Sequence, residues 1–266
     1  MIQENYTRLN REAWDTESRE YQEAHREELD LNLEDIFWGF GLSKESELSV
    51  LGNVSGKAIL ELGCGGAQCS VSLSRHHAFC IGLDVSRNQL QFARELVELL
   101  DVDIPLVLAN GEDLPFSDSC FDIVFCVFGA IGFIDARRSF KEVFRVLRPG
   151  GLFAFSWYHP FFDCFPRKGE NQLKVIKSYF DRSSLVEHKK KIDGTVITYI
   201  EFHHTLSDYF DMLTQAGFTI IGLIEPESPK EDAPTTWSEA PLYKIRMIPS
   251  TIVLKARKPS SSVNGL

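Results

Sequence analysis

Residues 58–70 read AILELGCGGAQCS. A short apolar run carrying one carboxylate, Glu61, leads into three glycines within four positions, Gly63, Gly65 and Gly66. Glycine accepts positive φ and lets the backbone come close to another group. The segment that follows, 67–75, has the pattern of a helix. Strand, bare loop and helix in that order open a βαβ unit, because neighbouring parallel strands need a crossover between them.

The chain continues that rhythm. Strands are predicted at 78–83, 104–109, Phe121–Val127 and 152–157, and helices at 87–100 and 136–147. The helix at 87–100 puts Leu90, Ala93, Leu96, Val97 and Leu100 on one stripe. Pro149, Gly150 and Gly151 stop the helix at 136–147. Continuous apolar strands alternating with helices argue for an α/β fold, a doubly wound, mostly parallel sheet covered on both faces. Residues 158–204 are mixed, partly basic and aromatic, and read as an insertion at the C-terminal edge of the sheet. A helix at 205–216, N-capped by Thr205 or Ser207, and strands at 218–225 and 245–255 resume the pattern. The Pro-rich stretch between those strands reads as loop and 259–266 as a disordered tail. The charged residues 1–50 read as helices outside the sheet domain, which runs from 51 to 258.

Charge narrows the partners. Asp and Glu number 38 against 28 Lys and Arg, a formal charge of −10. Binding to a phosphate backbone needs clustered cations, and the basic run at 189–191 is short enough to be a solvated loop. No nucleic-acid partner is expected. The six cysteines form no C-x-x-C pair and several sit in apolar runs, so they read as reduced thiols used for packing, with no metal site. The polar N-terminus lacks the apolar segment of a signal peptide. The most apolar stretch, 121–134, contains Asp122 and two glycines and is too short to cross a bilayer. A cytoplasmic protein without stable membrane insertion is expected.

In doubly wound sheets, ligands bind outside the strand C-termini where strand order reverses, and the glycine loop belongs there. A dinucleotide pyrophosphate wants G-x-G-x-x-G. Counting from Gly63, the third glycine position holds Gln68. Asp84 ends the second strand, where a carboxylate can accept both hydroxyls of a ribose. NAD and S-adenosylmethionine both carry that ribose. Glu61 suits a cationic ligand end, such as an amino-acid ammonium, better than a pyrophosphate. A tight turn packing strand on helix would use the same glycines.

The segments LELGCGGA (60–67), GLDVS (82–86), NGEDLPFSDSCFDIVF (110–125) and VLRPGG (146–151) fall in the order and spacing of the class I S-adenosylmethionine-dependent methyltransferases. The chain most resembles the broad branch that includes the ubiquinone and menaquinone methyltransferases. The resemblance covers about residues 56–156. It implies a Rossmann-like, seven-stranded sheet with an antiparallel last strand. It implies that Gly63 and Gly65 line the methionine part of S-adenosylmethionine, that Glu61 supports it from behind, and that Asp84 binds the ribose. Val85 would pack on the adenine, with Asn110 near its amino group and Gly111 and Glu112 offering backbone groups. Asn110 stands where many relatives have Asp, and its side-chain oxygen can still accept. Cys126 would lie near the methionine ammonium, although core packing explains it equally.

A transferred methyl needs an aligned acceptor and, for a hydroxyl or protonated amine, a base. His159 follows the fifth strand, with Tyr158 and Asp163 nearby, and is the candidate base; capping the strand is the plainer alternative. Of His203 and His204, neighbours on a strand would face opposite ways, so one could reach the acceptor, and His203 is the candidate. His76 and His77 read as surface. N-terminal helices fold over the cofactor in relatives, and Asn10, Trp14 and Tyr21 share one helical face. Trp14 and Tyr21 could meet the sulfonium, or simply bury against the sheet, as could Trp38 and Phe40. The aromatics of the insertion could line an acceptor pocket or build a satellite core. The expected activity is methyl transfer to O, N or C of a small, partly apolar molecule. The alternatives are a protein or RNA methyltransferase and a non-catalytic cofactor-binding subunit. An NAD-dependent oxidoreductase is disfavoured by Gln68.

Overall fold

The computed structural model describes residues 5–39, 43–167, 173–191, 193–227 and 241–260. Three helices come first: α1 (Tyr6–Ala24), α2 (Arg26–Leu31) and α3 (Glu45–Leu48). Strands and helices then alternate as β1 (Ala58–Leu62), α4 (Gln68–Arg75), β2 (Phe79–Asp84), α5 (Arg87–Leu99), β3 (Leu106–Leu108), β4 (Phe121–Val127), α6 (Ala136–Val146) and β5 (Leu147–Tyr158). A hairpin, β6 (Leu185–Lys190) and β7 (Val196–Glu201), precedes α7 (Leu206–Gln215), β8 (Thr219–Ile224), α8 (Leu242–Met247) and β9 (Thr251–Arg257).

Seven strands form one sheet in the order β3-β2-β1-β4-β5-β9-β8. β9 runs antiparallel to both of its neighbours, β5 and β8, and the other pairs are parallel. Strand order reverses between β1 and β4, which places a crevice at their C-terminal ends. Period-two alternation splits the core. Leu60, Val124, Cys126, Phe153, Phe155 and Leu254 belong to one cluster, and Ile59, Ile123, Phe125, Ala154 and Val253 to the other. The first cluster is closed by α6, whose Phe140, Val143 and Val146 are fully buried at helical spacing. Burying each such Phe contributes roughly 2–3 kcal/mol. α6 starts at Asp135, whose carboxylate accepts from the Arg137 and Arg138 amides. Thr205 caps α7 and forms a capping box with Asp208.

Three expectations change. The strand predicted at 245–255 is α8 followed by β9. β9 starts at Thr251, which pairs with Tyr158, the last residue of β5, so an earlier start would have no partner strand. Pro249, which has no N–H to donate, separates the two elements. β5 starts five residues earlier than predicted, because a register shift against β4 absorbs Pro149, Gly150 and Gly151. The basic run at 189–191 is no solvated loop: Lys189 and Lys190 end β6, and Lys189 and Lys191 pair with carboxylates of α1. Directly after β9, the Lys258 ammonium donates to the carbonyls of Phe144 and Leu147. Residues 261–266, Phe40 and most of the Pro-rich stretch lie outside the described residues. No described helix is long and apolar enough to cross a membrane.

Candidate active site

A cavity of about 490 Å³ lies at the C-terminal ends of β1, β2 and β4. Glu61, Gly63, Gly65, Asp84, Val85, Asn110 and Gly111 all line its floor. Backbone geometry explains the glycines. Gly63 and Gly65 have φ of +73° and +52°, and a Cβ on Gly63 would sit 2.4 Å from the Ala130 amide nitrogen. The Asp84 carboxylate holds the loop, accepting from the Gly65 amide at 2.9 Å and from the Ser86 amide at 2.8 Å. Glu61 accepts from the Ser70 amide at 2.9 Å and the Ser70 hydroxyl at 2.5 Å.

Both carboxylates are buried. Burial pushes Glu61 up to about 8, against the hydrogen bonds from Ser70, and pushes Asp84 above its ordinary value against its amide bonds. Among the described residues no cationic side chain pairs with either. Asn110 spends its side-chain oxygen on the Glu112 amide, at 3.1 Å.

Three amides that sequence reasoning missed tie the loop to α1. The Gln22 amide donates to Gln89 Oε1 at 2.8 Å, and the Gln68 amide donates to Gln22 Oε1 at 3.3 Å. Gln68 is the residue that breaks the dinucleotide glycine pattern, and here it faces the N-terminal helix. No local signal marks the three, because they come from three different helices.

The roof of the cavity is α1 and the β6–β7 hairpin. Asn10, Trp14 and Tyr21 line it from α1, as their shared helical face suggested. The Asn10 side chain pairs with the Ile200 backbone in both directions, at 2.8 and 2.9 Å, and also donates to the Phe133 carbonyl. The Trp14 ring stands edge-on to Tyr21, Phe133 and Tyr199, with centroids 5.3–5.6 Å apart. From the insertion, Tyr199 joins a small core with Ala13 and Ile197, as one of the two expectations for its aromatics had it, and also lines the cavity. Glu17 on α1 accepts from the Tyr199 hydroxyl at 2.7 Å and pairs with Lys189.

At the far end Tyr158 and Arg167 line the cavity. The guanidinium lies 4.0 Å from the Tyr158 ring centre, grips Glu201 through two nitrogens at 2.8 and 3.1 Å, and reaches Asp163 at 3.0 Å.

The structure does not bring four candidates to the cavity wall. The backbone N–H of His159 donates to the Ser250 carbonyl, its Nδ1 accepts from the Phe161 amide, and its Nε2 faces Glu225 at 2.9 Å. It ties the end of β5 to the strand-end residues beside it, the capping role that was its alternative. His203 is held between Asp163 and the Tyr179 carbonyl, because β7 ends two residues before it. Cys126 faces the α6 side of the sheet, as strand alternation dictates. Glu112 is buried beside the cavity, where its carboxylate accepts from the Tyr6 hydroxyl and the Asp135 amide and so ties α1 to the start of α6. All six cysteines are free thiols, five of them buried. His76 and His77 are exposed.

Comparison with known proteins agrees with this architecture. A methyltransferase domain family matches residues 60–155. The chain is 35% identical over 192 residues to the demethylmenaquinone methyltransferase of Listeria welshimeri, covering 64% of this chain and 73% of that one. It is 35% identical over 96 residues to the demethylmenaquinone methyltransferase of Corynebacterium glutamicum, where it spans only 39% of the relative's length. The crystal structure of an S-adenosylmethionine dependent methyltransferase from Mesorhizobium loti matches with a TM-score of 0.62 at 24% identity, over 79% of this chain and 94% of that one. With its switch-point cavity, glycine loop and antiparallel last strand, the chain belongs to the class I S-adenosylmethionine-dependent methyltransferases.

Proposed function

We propose that this methyltransferase acts on a small, partly apolar organic acceptor held under α1 and the β6–β7 hairpin. The observation that carries the reading is the aromatic roof: Trp14, Tyr21, Phe133, Tyr158 and Tyr199 line the same cavity as the glycine loop. A cavity of this size and composition suits a small molecule. The formal charge of −10 argues against a polyanionic acceptor such as RNA. The similarity to enzymes named for demethylmenaquinone supports an aromatic or quinol-like acceptor.

The floor fits the cofactor. Two buried carboxylates without cationic partners match a ligand that brings an ammonium and ribose hydroxyls, and the bare loop admits it closely. In this reading Glu61 meets the cationic amino-acid end, Gly63 and Gly65 flank it, Asp84 takes the ribose and Val85, Asn110 and Gly111 surround the adenine. S-adenosylmethionine supplies a methyl group already activated on a sulfonium, so the chain's own task is alignment and exclusion of water. Trp14 and Tyr21 do both from α1, and Tyr158 and Arg167 close the opposite end.

Calorimetric titration with S-adenosylmethionine and S-adenosylhomocysteine tests the floor. Product analysis with methyl-labelled cofactor and a panel of phenols, aromatic amines and naphthoquinols, beside tRNA and protein fractions, tests the roof. Label in a small molecule is expected; label in tRNA or protein alone overturns the reading.

A further inference from the structure

With His159 and His203 outside the cavity, the proton acceptor has to be sought among the groups that line it. Glu61 and Asp84 hold the glycine loop. Glu201 is held through both oxygens by the guanidinium of Arg167, a group that cannot pass on a proton. Glu187 is exposed, and the His25 ring packs against Tyr21 at the end of α1.

Glu17 differs from all of these. It lines the cavity, its side chain is only 10% exposed, and Tyr199 fixes one oxygen at 2.7 Å. Its other oxygen meets the ammonium of Lys189, whose side chain is 46% exposed. Glu17 and Lys189 therefore connect the aromatic roof to solvent in two side chains.

We infer that Glu17 takes the proton of the methyl acceptor and that Lys189 returns it to water, so that the acceptor reacts through a heteroatom carrying a proton, a hydroxyl or an amine. The inference rests on the small-molecule reading above. For a hydroxyl, the O–H bond breaks as the proton moves to a Glu17 oxygen. The freed electron pair bonds to the methyl carbon as that carbon's bond to sulfur breaks, its electrons going to sulfur. The products are a methyl ether and S-adenosylhomocysteine. Lys189 then releases one of its protons to water and takes the one held by Glu17. Tyr199 is a positioning residue, keeping the carboxylate turned toward the cavity. The other charged groups around Glu17 are Glu20 on α1, Glu187 on β6 and Lys191 beyond it.

Glu17→Gln keeps an acceptor for the Tyr199 hydroxyl and removes the base. Its rate at saturating acceptor should fall by about 100-fold or more. Its calorimetric affinity for S-adenosylmethionine should stay within about threefold of wild type. Glu17→Asp should recover part of the rate. A readout without turnover is the infrared difference spectrum of the S-adenosylhomocysteine complex on adding 2-naphthol. A carboxylate band should shift in the wild type and be absent from Glu17→Gln.

A variant as fast as wild type, an unshifted band, or methylation confined to carbon would overturn the inference. So would a protein that binds S-adenosylmethionine yet yields no O- or N-methyl product from the panel. A protein that binds no S-adenosylmethionine would instead remove the reading beneath it.

Discussion

The floor and the roof of the cavity treat charge in opposite ways. On the floor, Glu61 and Asp84 are buried with hydrogen-bond donors but no cations. In the roof, each buried or half-buried carboxylate has a basic partner: Glu17 has Lys189, and Glu201 and Asp163 share Arg167. Buried charge without a counter-ion is costly, and burial accordingly pushes both carboxyl groups toward their protonated forms. A charge already neutralised inside the chain needs no ligand to balance it. The floor thus leaves its two carboxyl groups without a counter-ion among the described residues, whereas the roof supplies its own.

The largest test of that contrast is Gly63→Val. A side chain at φ +73°, within 2.4 Å of the Ala130 nitrogen, should abolish cofactor binding and cost about 2–4 kcal/mol in denaturant unfolding. Asp84→Ala should weaken S-adenosylmethionine binding by about 1–3 kcal/mol in calorimetry, with the Gly65 and Ser86 amides losing their acceptor as well. Unchanged affinity would mean that the ribose lies elsewhere.

The next effect is one of pH. Glu61 sits at about 8 in the folded chain against an ordinary 4.5. Its burial penalty is therefore absent below about 4.5 and grows as pH climbs to about 8, so the cofactor-free protein loses stability across that window. Binding of a cation reverses the preference. Affinity for S-adenosylmethionine should rise between pH 6 and pH 7.5 by less than about tenfold per unit, with proton release seen as a buffer-dependent binding enthalpy. Glu61→Gln should remove the proton release, weaken binding and raise the melting temperature of the free protein at pH 8.

Lys189→Ala at the half-exposed roof pair should lower stability by at most about 1 kcal/mol, and the loss should shrink as salt is added. Smallest of all, His159→Gln should leave the methyl-transfer rate within about threefold of wild type. A 100-fold loss there would restore His159 as a catalytic group.

The floor was legible in the sequence because its chemistry is local. The glycines, Glu61 and Asp84 sit at strand ends whose apolar runs announce them, whereas the seven-stranded sheet with its antiparallel last strand was implied by the family resemblance. The roof was legible only in part. Trp14 and Tyr21 were found through helical spacing, but Gln22, Gln68 and Gln89 meet only after three helices have packed. Arg167 and Glu201 carry no pattern that pairs them. A histidine next to a strand end is well placed for a site and equally well placed to cap the strand, and no sequence pattern reveals the nearness of Glu225 and Ser250 that holds His159 away from the cavity wall. The strand predicted at 245–255 failed because alternating apolar residues cannot reveal where the partner strand stops.

The two hydrogen bonds between Asn10 and Ile200 join positions 190 residues apart. At ribosomal rates, that interval takes on the order of 10–40 s to synthesise. The glycine loop and five parallel strands can form while α1 still has no β7 to pack against. During that time an amphipathic helix with an aromatic face stays open to solvent or to chaperones. A nascent chain stalled before residue 196 would carry the nearly finished floor of the cavity and no hairpin wall, so one side of the cavity precedes the other in the life of each molecule.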